Sequence, residues 1–297
     1  MKNRLFTGSG VAIVTPFNED GVDFEAFGRL IDYQVEHGTD AIIVCGTTGE
    51  SATMPDYEHI SVVEYCVKKV NKRVPVIAGT GSNDTAHCVE LSKSCEAAGA
   101  DGLLLVTPYY NKATQKGLIK HYTMIADSVN IPMILYNVPS RTGVNIGVNT
   151  LFELAKHENI VAIKEASGNI SLTAEMAAKC LDKIDFYSGN DDCVTPIMAL
   201  GGVGVISVLA NIAPQYMHDM CADYLEGRIE DAVKKQLYSI ELINALFSEV
   251  NPIPVKTALN LMGFDAGMLR LPLCEMEDKN LTTLKDALVN FGINIKK

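Results

Sequence analysis

Lys164 has the clearest chemical potential in this 297-residue sequence, because it ends the apolar run 160–163. A lysine in that place would point into or over the mouth of the fold, where removal from water lowers the pKa of its amine. A neutral amine is a nucleophile and forms a Schiff base with a ketone. A strand-end lysine can equally reach out into solvent, and position alone leaves the two interpretations even.

Hydroxyl groups follow two other apolar runs. Tyr136 ends one of them, and its phenol could relay protons during Schiff-base formation. Thr47 and Thr48 lie between Gly46 and Gly49, which allow a tight turn whose N–H groups could hold a small carboxylate. The alternative interpretations are an aromatic side chain of the core and an ordinary strand-to-helix turn.

Arg141 lies in the loop beyond Tyr136, and its planar guanidinium suits a carboxylate, with a surface ion pair as the alternative. Asp191 and Asp192 could serve acid–base or metal chemistry. Since no histidine stands nearby, we interpret them as the N-cap of a helix over 193–200. The eight cysteines and six histidines are dispersed, without zinc or redox spacing. We therefore expect no metal and no cofactor, and free thiols in a reducing compartment.

Eight short apolar runs, rich in β-branched residues, recur along the chain with helical patterns between them. The runs are residues 11–15, 41–45, 74–78, 102–106, 132–136, 160–164, 185–188 and 204–208. Near-continuous apolar character is typical of parallel strands buried on both faces. The pattern predicts an α/β fold, a (β/α)8 TIM barrel with a small C-terminal helical appendage. A doubly wound sheet is the alternative.

The strand pattern stops after residue 212. The predicted helices are 24–37, 57–70, 84–98, 115–129 and 149–157, followed by 216–225, 229–247, 254–262 and 279–290. We expect two domains, a catalytic barrel over 1–225 and a C-terminal helical domain over 226–297. In such barrels the active site lies at the carboxyl ends of the strands, where the polar motifs collect.

Composition narrows the class of protein. Hydrophobic residues make up 47% and charged residues 21%, which is typical of a globular chain. The net charge of −11 disfavours nucleic acids and anionic membranes as partners. No stretch approaches the roughly 20 apolar residues of a membrane span, and no signal-peptide core is visible. We therefore expect a cytoplasmic protein that acts on small molecules.

Three motifs in register resemble the signatures of the dihydrodipicolinate synthase family. They are Gly46-Thr47-Thr48-Gly49-Glu50, Tyr136-Asn137-Val138-Pro139-x-Arg141-Thr142-Gly143 and Lys164-Glu165-Ala166-Ser167-Gly168. The resemblance spans essentially the whole chain. It implies a lyase of the class I aldolase type that condenses pyruvate with L-aspartate 4-semialdehyde through a lysine Schiff base, the first committed step of diaminopimelate and lysine biosynthesis.

The resemblance also implies a role for individual residues. The implied catalytic residues are Lys164, Tyr136, Thr47 and Tyr110, and the implied substrate-binding residues are Thr48, Arg141, Gly189 and Ile206. Lys164 would form the imine, and the three hydroxyl groups would relay protons. Thr48 would hold the pyruvate carboxylate, and Arg141 that of the semialdehyde. Tyr110 would enter from a neighbouring subunit, which implies a homo-oligomer, in this family a tetramer built as a dimer of dimers.

One residue departs from the family pattern, and other functions remain open. His87 stands where lysine-inhibited members carry a glutamate, so we predict weak or absent inhibition by lysine. N-acetylneuraminate lyase or a keto-deoxy-sugar aldolase of the same superfamily is the nearest alternative, although Arg141 favours the synthase. A barrel that senses a small acid without turning it over is an alternative from another class. A phosphate-binding barrel is disfavoured, because the glycines at 201–204 precede a strand.

Overall fold

Eight parallel strands form the centre of the computed structural model, which describes residues 4–296. The strands are β1 (Gly8–Ala12), β2 (Ala41–Val44), β3 (Val76–Gly79), β4 (Gly102–Val106), β5 (Met133–Asn137), β6 (Ile160–Glu165), β7 (Asp185–Ser188) and β8 (Gly204–Ser207). Each strand pairs with its neighbours in sequence, and β8 pairs with β1, so the sheet closes. The predicted (β/α)8 barrel is confirmed.

Helices follow the strands and cover the outside of the barrel. They are α1 (Phe24–Glu36), α2 (Asp56–Val70), α3 (Thr85–Ala97), α4 (Gln115–Ala126), α5 (Pro139–Thr142), α6 (Val148–Leu154), α7 (Ile170–Cys180), α8 (Val194–Ala199), α9 (Pro214–Leu225), α10 (Ile229–Tyr238), α11 (Ile240–Leu246), α12 (Ile253–Met262) and α13 (Asp278–Phe291). Polar caps fix several starts: Asp23 accepts from the N–H of Ala26, and Thr114 from that of Gly117. Within residues 4–296, no helix has the length and apolar content that a membrane crossing requires.

Of the boundaries that differ from the prediction, two have identifiable reasons. Strand β1 begins at Gly8 and not at Val11. The prediction missed this start because close packing requires small residues there, and small residues do not give the apolar pattern of a strand. A Cβ at Gly10 would lie 2.6 Å from Cδ1 of Ile43. The helix predicted over 229–247 is interrupted at Ser239, whose hydroxyl donates a 2.9 Å hydrogen bond to the carbonyl of Gln236.

The side chains of the strands divide between two apolar clusters. One lies between the barrel and its helices, and the other fills the barrel interior and includes Ala12, Ile43, Leu104, Tyr136, Ala162 and Ile206. The segment before β1 packs against the amino-terminal end of the barrel. There Phe6 stacks on Tyr187 with ring centroids 4.3 Å apart, and Arg4 pairs with Asp185 at 2.8 Å. Open space for a ligand is therefore found at the carboxyl ends of the strands.

Candidate active site

Lys164 points into the barrel. Along β6, Ala162 belongs to the interior cluster and Ile163 to the outer cluster, so alternation turns Lys164 inward. The lysine is only 5% exposed. Strand pairing sets it opposite Tyr136 of β5, and its Nζ lies 4.3 Å from the centroid of the tyrosine ring. The inward interpretation of Lys164 is therefore confirmed.

Burial changes the proton affinity of both groups. It is the main reason that the pKa of Lys164 is lowered to about 7; the Asp191 carboxylate opposes this shift, and the charge of Arg141 adds to it. A substantial fraction of the amine is thus neutral near neutral pH. Burial raises the pKa of Tyr136 to about 12, so its hydroxyl keeps its proton and can donate.

The turn at residues 46–50 follows β2 and presents two hydroxyl groups beside the lysine. Backbone hydrogen bonds of 3.1 Å close the turn, and Thr15 donates a 2.8 Å hydrogen bond to one of its carbonyls. The Thr48 hydroxyl accepts a 3.0 Å hydrogen bond from the side chain of Asn251. Because that bond occupies an acceptor position, the hydroxyl proton of Thr48 is free for a ligand. Thr47 lines the same cavity.

Arg141 lies on α5, directly beyond Tyr136. Its Nη2 donates a 3.1 Å hydrogen bond to the backbone carbonyl of Asn251. Across residues 4–296 the guanidinium forms no ion pair, which argues against the surface ion pair considered for it. The positive charge of Arg141 is therefore open to an anionic ligand at the rim of the site.

A cavity of about 180 Å³ joins these groups. The predicted residues that line it are Thr47, Thr48, Tyr136, Arg141, Lys164 and Gly189. A Cβ at Gly189 would stand 3.1 Å from Cε of Lys164 and 2.6 Å from Cβ of Ala166. The absence of a side chain at Gly189 therefore leaves space for the Lys164 side chain. The small volume suits a ligand of few non-hydrogen atoms.

Two predicted site residues lie outside this cavity. Tyr110 is 92% exposed, and its backbone φ of 67° is in the left-handed region that non-glycine residues rarely adopt. Ile206 is 1% exposed and belongs to the interior cluster with Tyr136. The roles expected for Tyr110 and Ile206 stay predictions.

Three residues that the sequence did not single out also line the cavity. Phe247 and Asn251 lie on the segment between α11 and α12, and Ser140 stands beside Arg141. Asn251 is 6% exposed and holds both Thr48 and Arg141 by hydrogen bonds. No local pattern could reveal these contacts, since Asn251 lies 203 positions from Thr48 in the chain.

Asp191 has a different role from the helix cap predicted for it. Helix α8 has no side-chain cap. Instead the buried Asp191 carboxylate accepts hydrogen bonds from the backbone N–H groups of Val208 (3.0 Å) and Leu209 (2.8 Å), so it caps the helical turn after β8. Burial raises the pKa of Asp191. Its charge also acts on Lys164, and it therefore belongs to the electrostatics of the site.

A second cavity, of about 470 Å³, adjoins the first and shares Thr47, Tyr136 and Arg141 with it. His59 and His87 line its far side. The imidazole of His87 lies 2.9 Å from a carboxylate oxygen of Asp56 and 3.2 Å from the hydroxyl of Ser82. Burial lowers the pKa of His59 to about 4, so that imidazole is neutral.

An aldolase-type lyase requires an amine that is partly neutral and a small space in which a keto acid can meet it. The buried Lys164 and the cavity beside it meet both requirements, so the barrel and its site are those of an aldolase-type lyase.

Comparisons with known proteins identify the family. The model of the Dihydrodipicolinate synthetase family matches residues 5–290. A 4-hydroxy-tetrahydrodipicolinate synthase of Caldicellulosiruptor saccharolyticus is 59% identical over 99% of both chains. The dihydrodipicolinate synthase structure from Aquifex aeolicus has 46% identity and a TM-score of 0.96, covering 98% of this chain and 100% of that one. A chloride-inhibited Acinetobacter baumannii synthase complexed with pyruvate has 44% identity and a TM-score of 0.94, covering 97% and 99%. The chain belongs to the dihydrodipicolinate synthetase family.

Proposed function

We propose that this protein catalyses the reaction for which its relatives are named, 4-hydroxy-tetrahydrodipicolinate synthesis from pyruvate and L-aspartate 4-semialdehyde. The observation that carries the proposal is the buried amine of Lys164, with a pKa of about 7, in a cavity sized for a small keto acid. The pyruvate complex of the Acinetobacter baumannii relative supports the choice of the first substrate.

The first stage forms an imine. The neutral amine of Lys164 attacks the ketone carbon of pyruvate, and loss of water gives a C=N bond between lysine and substrate. Tyr136, whose hydroxyl keeps its proton, supplies a proton to the departing oxygen, and Thr47 completes the path by which protons are exchanged. Because the protonated imine withdraws electrons, a proton leaves the pyruvate methyl group and an enamine forms.

The second stage makes the carbon–carbon bond. The enamine carbon attacks the aldehyde carbon of the semialdehyde, and the aldehyde oxygen takes up a proton. The amine of the adduct then attacks the imine carbon, which closes the ring and releases Lys164 as a free amine. One water is lost overall, from the first stage, so the lysine returns unchanged for the next cycle.

Two groups would bind the substrate carboxylates. The free proton of the Thr48 hydroxyl suits the carboxylate of pyruvate, and the open guanidinium of Arg141 suits that of the semialdehyde. Gly189 makes room beside the reacting lysine, and Ile206 would form part of the apolar wall around the pyruvate methyl group.

We propose that the protein works as a homo-oligomer, a tetramer of two tight dimers. Tyr110 is 92% exposed on a strained backbone, and strain of this kind is typical of functional positions. It would reach the cavity of a second copy and complete the proton relay there. Ile229, Val233 and Leu237 are exposed at intervals of four residues on one face of α10, which supports a further apolar contact between dimers.

Two further expectations remain proposals. A cytoplasmic location is supported by the cysteines, all of which are free and most of which are buried. A division into a barrel over 1–225 and a helical domain over 226–297 is supported by the order of the elements, since the last strand ends at Ser207 and α10 begins at Ile229.

Trapping of the imine tests the proposed function. Pyruvate with borohydride should add the mass of a reduced pyruvate adduct to the Lys164 peptide, and the protein should turn over pyruvate with the semialdehyde in a coupled assay. Lys164→Ala should abolish both results, and Lys156→Ala, which removes an exposed lysine, should preserve both. Tyr136→Phe should fold and lose at least about 100-fold in rate, because only a proton-transferring hydroxyl is removed. An unmodified Lys164 peptide in active protein would contradict the mechanism.

A further inference from the structure

A buried ion pair lies at the edge of the candidate active site. Lys256 of α12 donates to the carboxylate of Glu50 at 2.6 Å, and each side chain is 1% exposed. In residues 4–296, no other ion pair is buried this deeply at both partners. Neither residue lines the cavity that holds Lys164, so the proposed chemistry leaves the pair unexplained.

Both members of the pair have further polar or aromatic partners. The Lys256 ammonium also donates to the backbone carbonyl of Met268 at 2.6 Å and lies 4.4 Å from the centroid of the Phe17 ring. The second carboxylate oxygen of Glu50 accepts a 3.0 Å hydrogen bond from the backbone N–H of Arg270. The carboxylate is thus held on both sides by the C-terminal part of the chain.

Glu50 closes the turn that carries Thr47 and Thr48. Its backbone has a φ of 56°, and its N–H donates a 3.1 Å hydrogen bond to the carbonyl of Thr47. A non-glycine residue in this region needs surrounding contacts to hold it there. Asn251, on the segment that leads into α12, also donates to the Thr48 hydroxyl. One C-terminal segment therefore holds the turn at two places, Thr48 and Glu50.

A buried ion pair adds little stability compared with apolar side chains of similar volume, because both charges must leave water. Its defined geometry is a better explanation for it at this place. We propose that Lys256 and Glu50 are positioning residues: their ion pair fixes the turn at residues 46–50 so that Thr47 and Thr48 face the keto acid at Lys164. This inference rests on the proposed function.

Three variants of the full-length protein separate positioning from stability. They are Lys256→Met, Glu50→Gln and the double variant that carries both changes. The measurements are the melting temperature and the pyruvate concentration that gives half-maximal borohydride trapping of Lys164. Each single variant leaves one buried polar group without its partner and should melt earlier. The double variant removes both charges and should regain most of the lost melting temperature.

If the pair has a positioning role, the double variant should need about tenfold more pyruvate than the unaltered protein for half-maximal trapping. A small displacement of a binding group is enough to weaken capture strongly. Arg4→Met, which breaks the ion pair with Asp185 at the opposite end of the barrel, is the matched control. It should melt earlier and trap pyruvate at the concentration of the unaltered protein. If the double variant also traps pyruvate at the concentration of the unaltered protein, the positioning role is wrong and the proposed function stands. If the unaltered protein fails to trap pyruvate, both are overturned.

Discussion

Lys164 combines two opposing requirements in one side chain. Catalysis needs an amine that has lost its proton, and the barrel interior provides one by excluding water. The same exclusion makes an amine an unfavourable group to bury. The Asp191 carboxylate partly offsets the effect, because its charge raises the pKa of the lysine. The pKa of about 7 is the balance of burial, that charge and the charge of Arg141.

The pH dependence of imine formation follows from this balance. Since only the neutral amine attacks a ketone, the rate of borohydride trapping with pyruvate should rise with pH through a midpoint near 7 and level off above about pH 8. Single-turnover trapping, followed by mass spectrometry at intervals of about half a pH unit between about pH 5.5 and 9, measures the profile. A midpoint near 10 would mean that the amine has the ordinary pKa of an exposed lysine.

Replacing the lysine by an apolar side chain should stabilise the fold. The folded-state pKa lies below the ordinary value, so the unfolded chain binds more protons between about pH 7 and pH 10.5. The lysine therefore destabilises the fold most at pH 7 and below, and this destabilisation fades as the pH rises toward 10.5. Lys164→Met should raise the free energy of unfolding by about 2 kcal/mol at pH 7. Denaturant unfolding at pH 7 and at pH 9.5 should show a smaller gain at the higher pH, and a loss of stability at pH 7 would contradict this.

His87 allows a separate prediction about regulation. Its imidazole is next to Asp56 and Ser82 in the larger cavity. Unlike a glutamate at this position, it has no carboxylate that could pair with the amine of a lysine inhibitor. We expect the inhibition constant for lysine to be at least about tenfold higher in this protein than in a His87→Glu variant. The glutamate of the variant gains a charge-assisted hydrogen bond with the amine of the inhibitor. Initial rates at increasing lysine concentration measure the difference. Equal sensitivity of the two proteins would remove His87 as the reason for insensitivity.

At the scale of elements, loops that follow different strands share one electrostatic environment. Asp191 follows β7, caps the helical turn after β8 and acts on the lysine of β6. Asp191→Asn keeps one oxygen that can accept the same backbone hydrogen bonds, and it removes the charge. The midpoint of the trapping profile should therefore move to lower pH by about 0.5 to 1 unit. An unchanged midpoint would show that the charge of Asp191 does not contribute to the pKa of Lys164.

The sequence predicted these elements well where their signal is local. The apolar run 160–163 identified β6, but its position left the direction of the Lys164 side chain open, and only the structure shows that it points inward. The start of β1 was misplaced, because Gly8 and Gly10 are selected by close packing and not by strand propensity. Asn251 was missed because its importance comes from a turn that lies 203 positions away. Contacts of that kind arise only when the chain folds.

The contacts between the C-terminal part of the chain and the turn at residues 46–50 show why the barrel alone does not form the complete site. Asn251 and Phe247 both line the small cavity, although neither belongs to a strand or to the helices that alternate with the strands. The C-terminal segment thus closes one side of the space in which Lys164 lies. Shape and polarity of the cavity depend on elements from both ends of the chain.

At the scale of the whole molecule, Tyr110 tests whether one chain makes a complete site. Its side chain is 92% exposed and lines neither cavity of its own chain. If it serves the neighbouring copy, a hybrid dimer of a Lys164→Ala chain and a Tyr110→Ala chain contains one fully equipped site. That site combines the lysine of the second chain with the tyrosine of the first. The other site lacks both groups.

Mixing the two inactive variants under conditions that exchange subunits should therefore restore activity. Random pairing makes half of the dimers hybrid and half of their sites complete, so activity should reach about a quarter of that of the unaltered protein. Each variant treated alone is the control for the exchange procedure. A tyrosine that serves its own chain leaves every hybrid site deficient. The mixture would then stay as inactive as its components, even where native mass spectrometry shows that hybrids have formed.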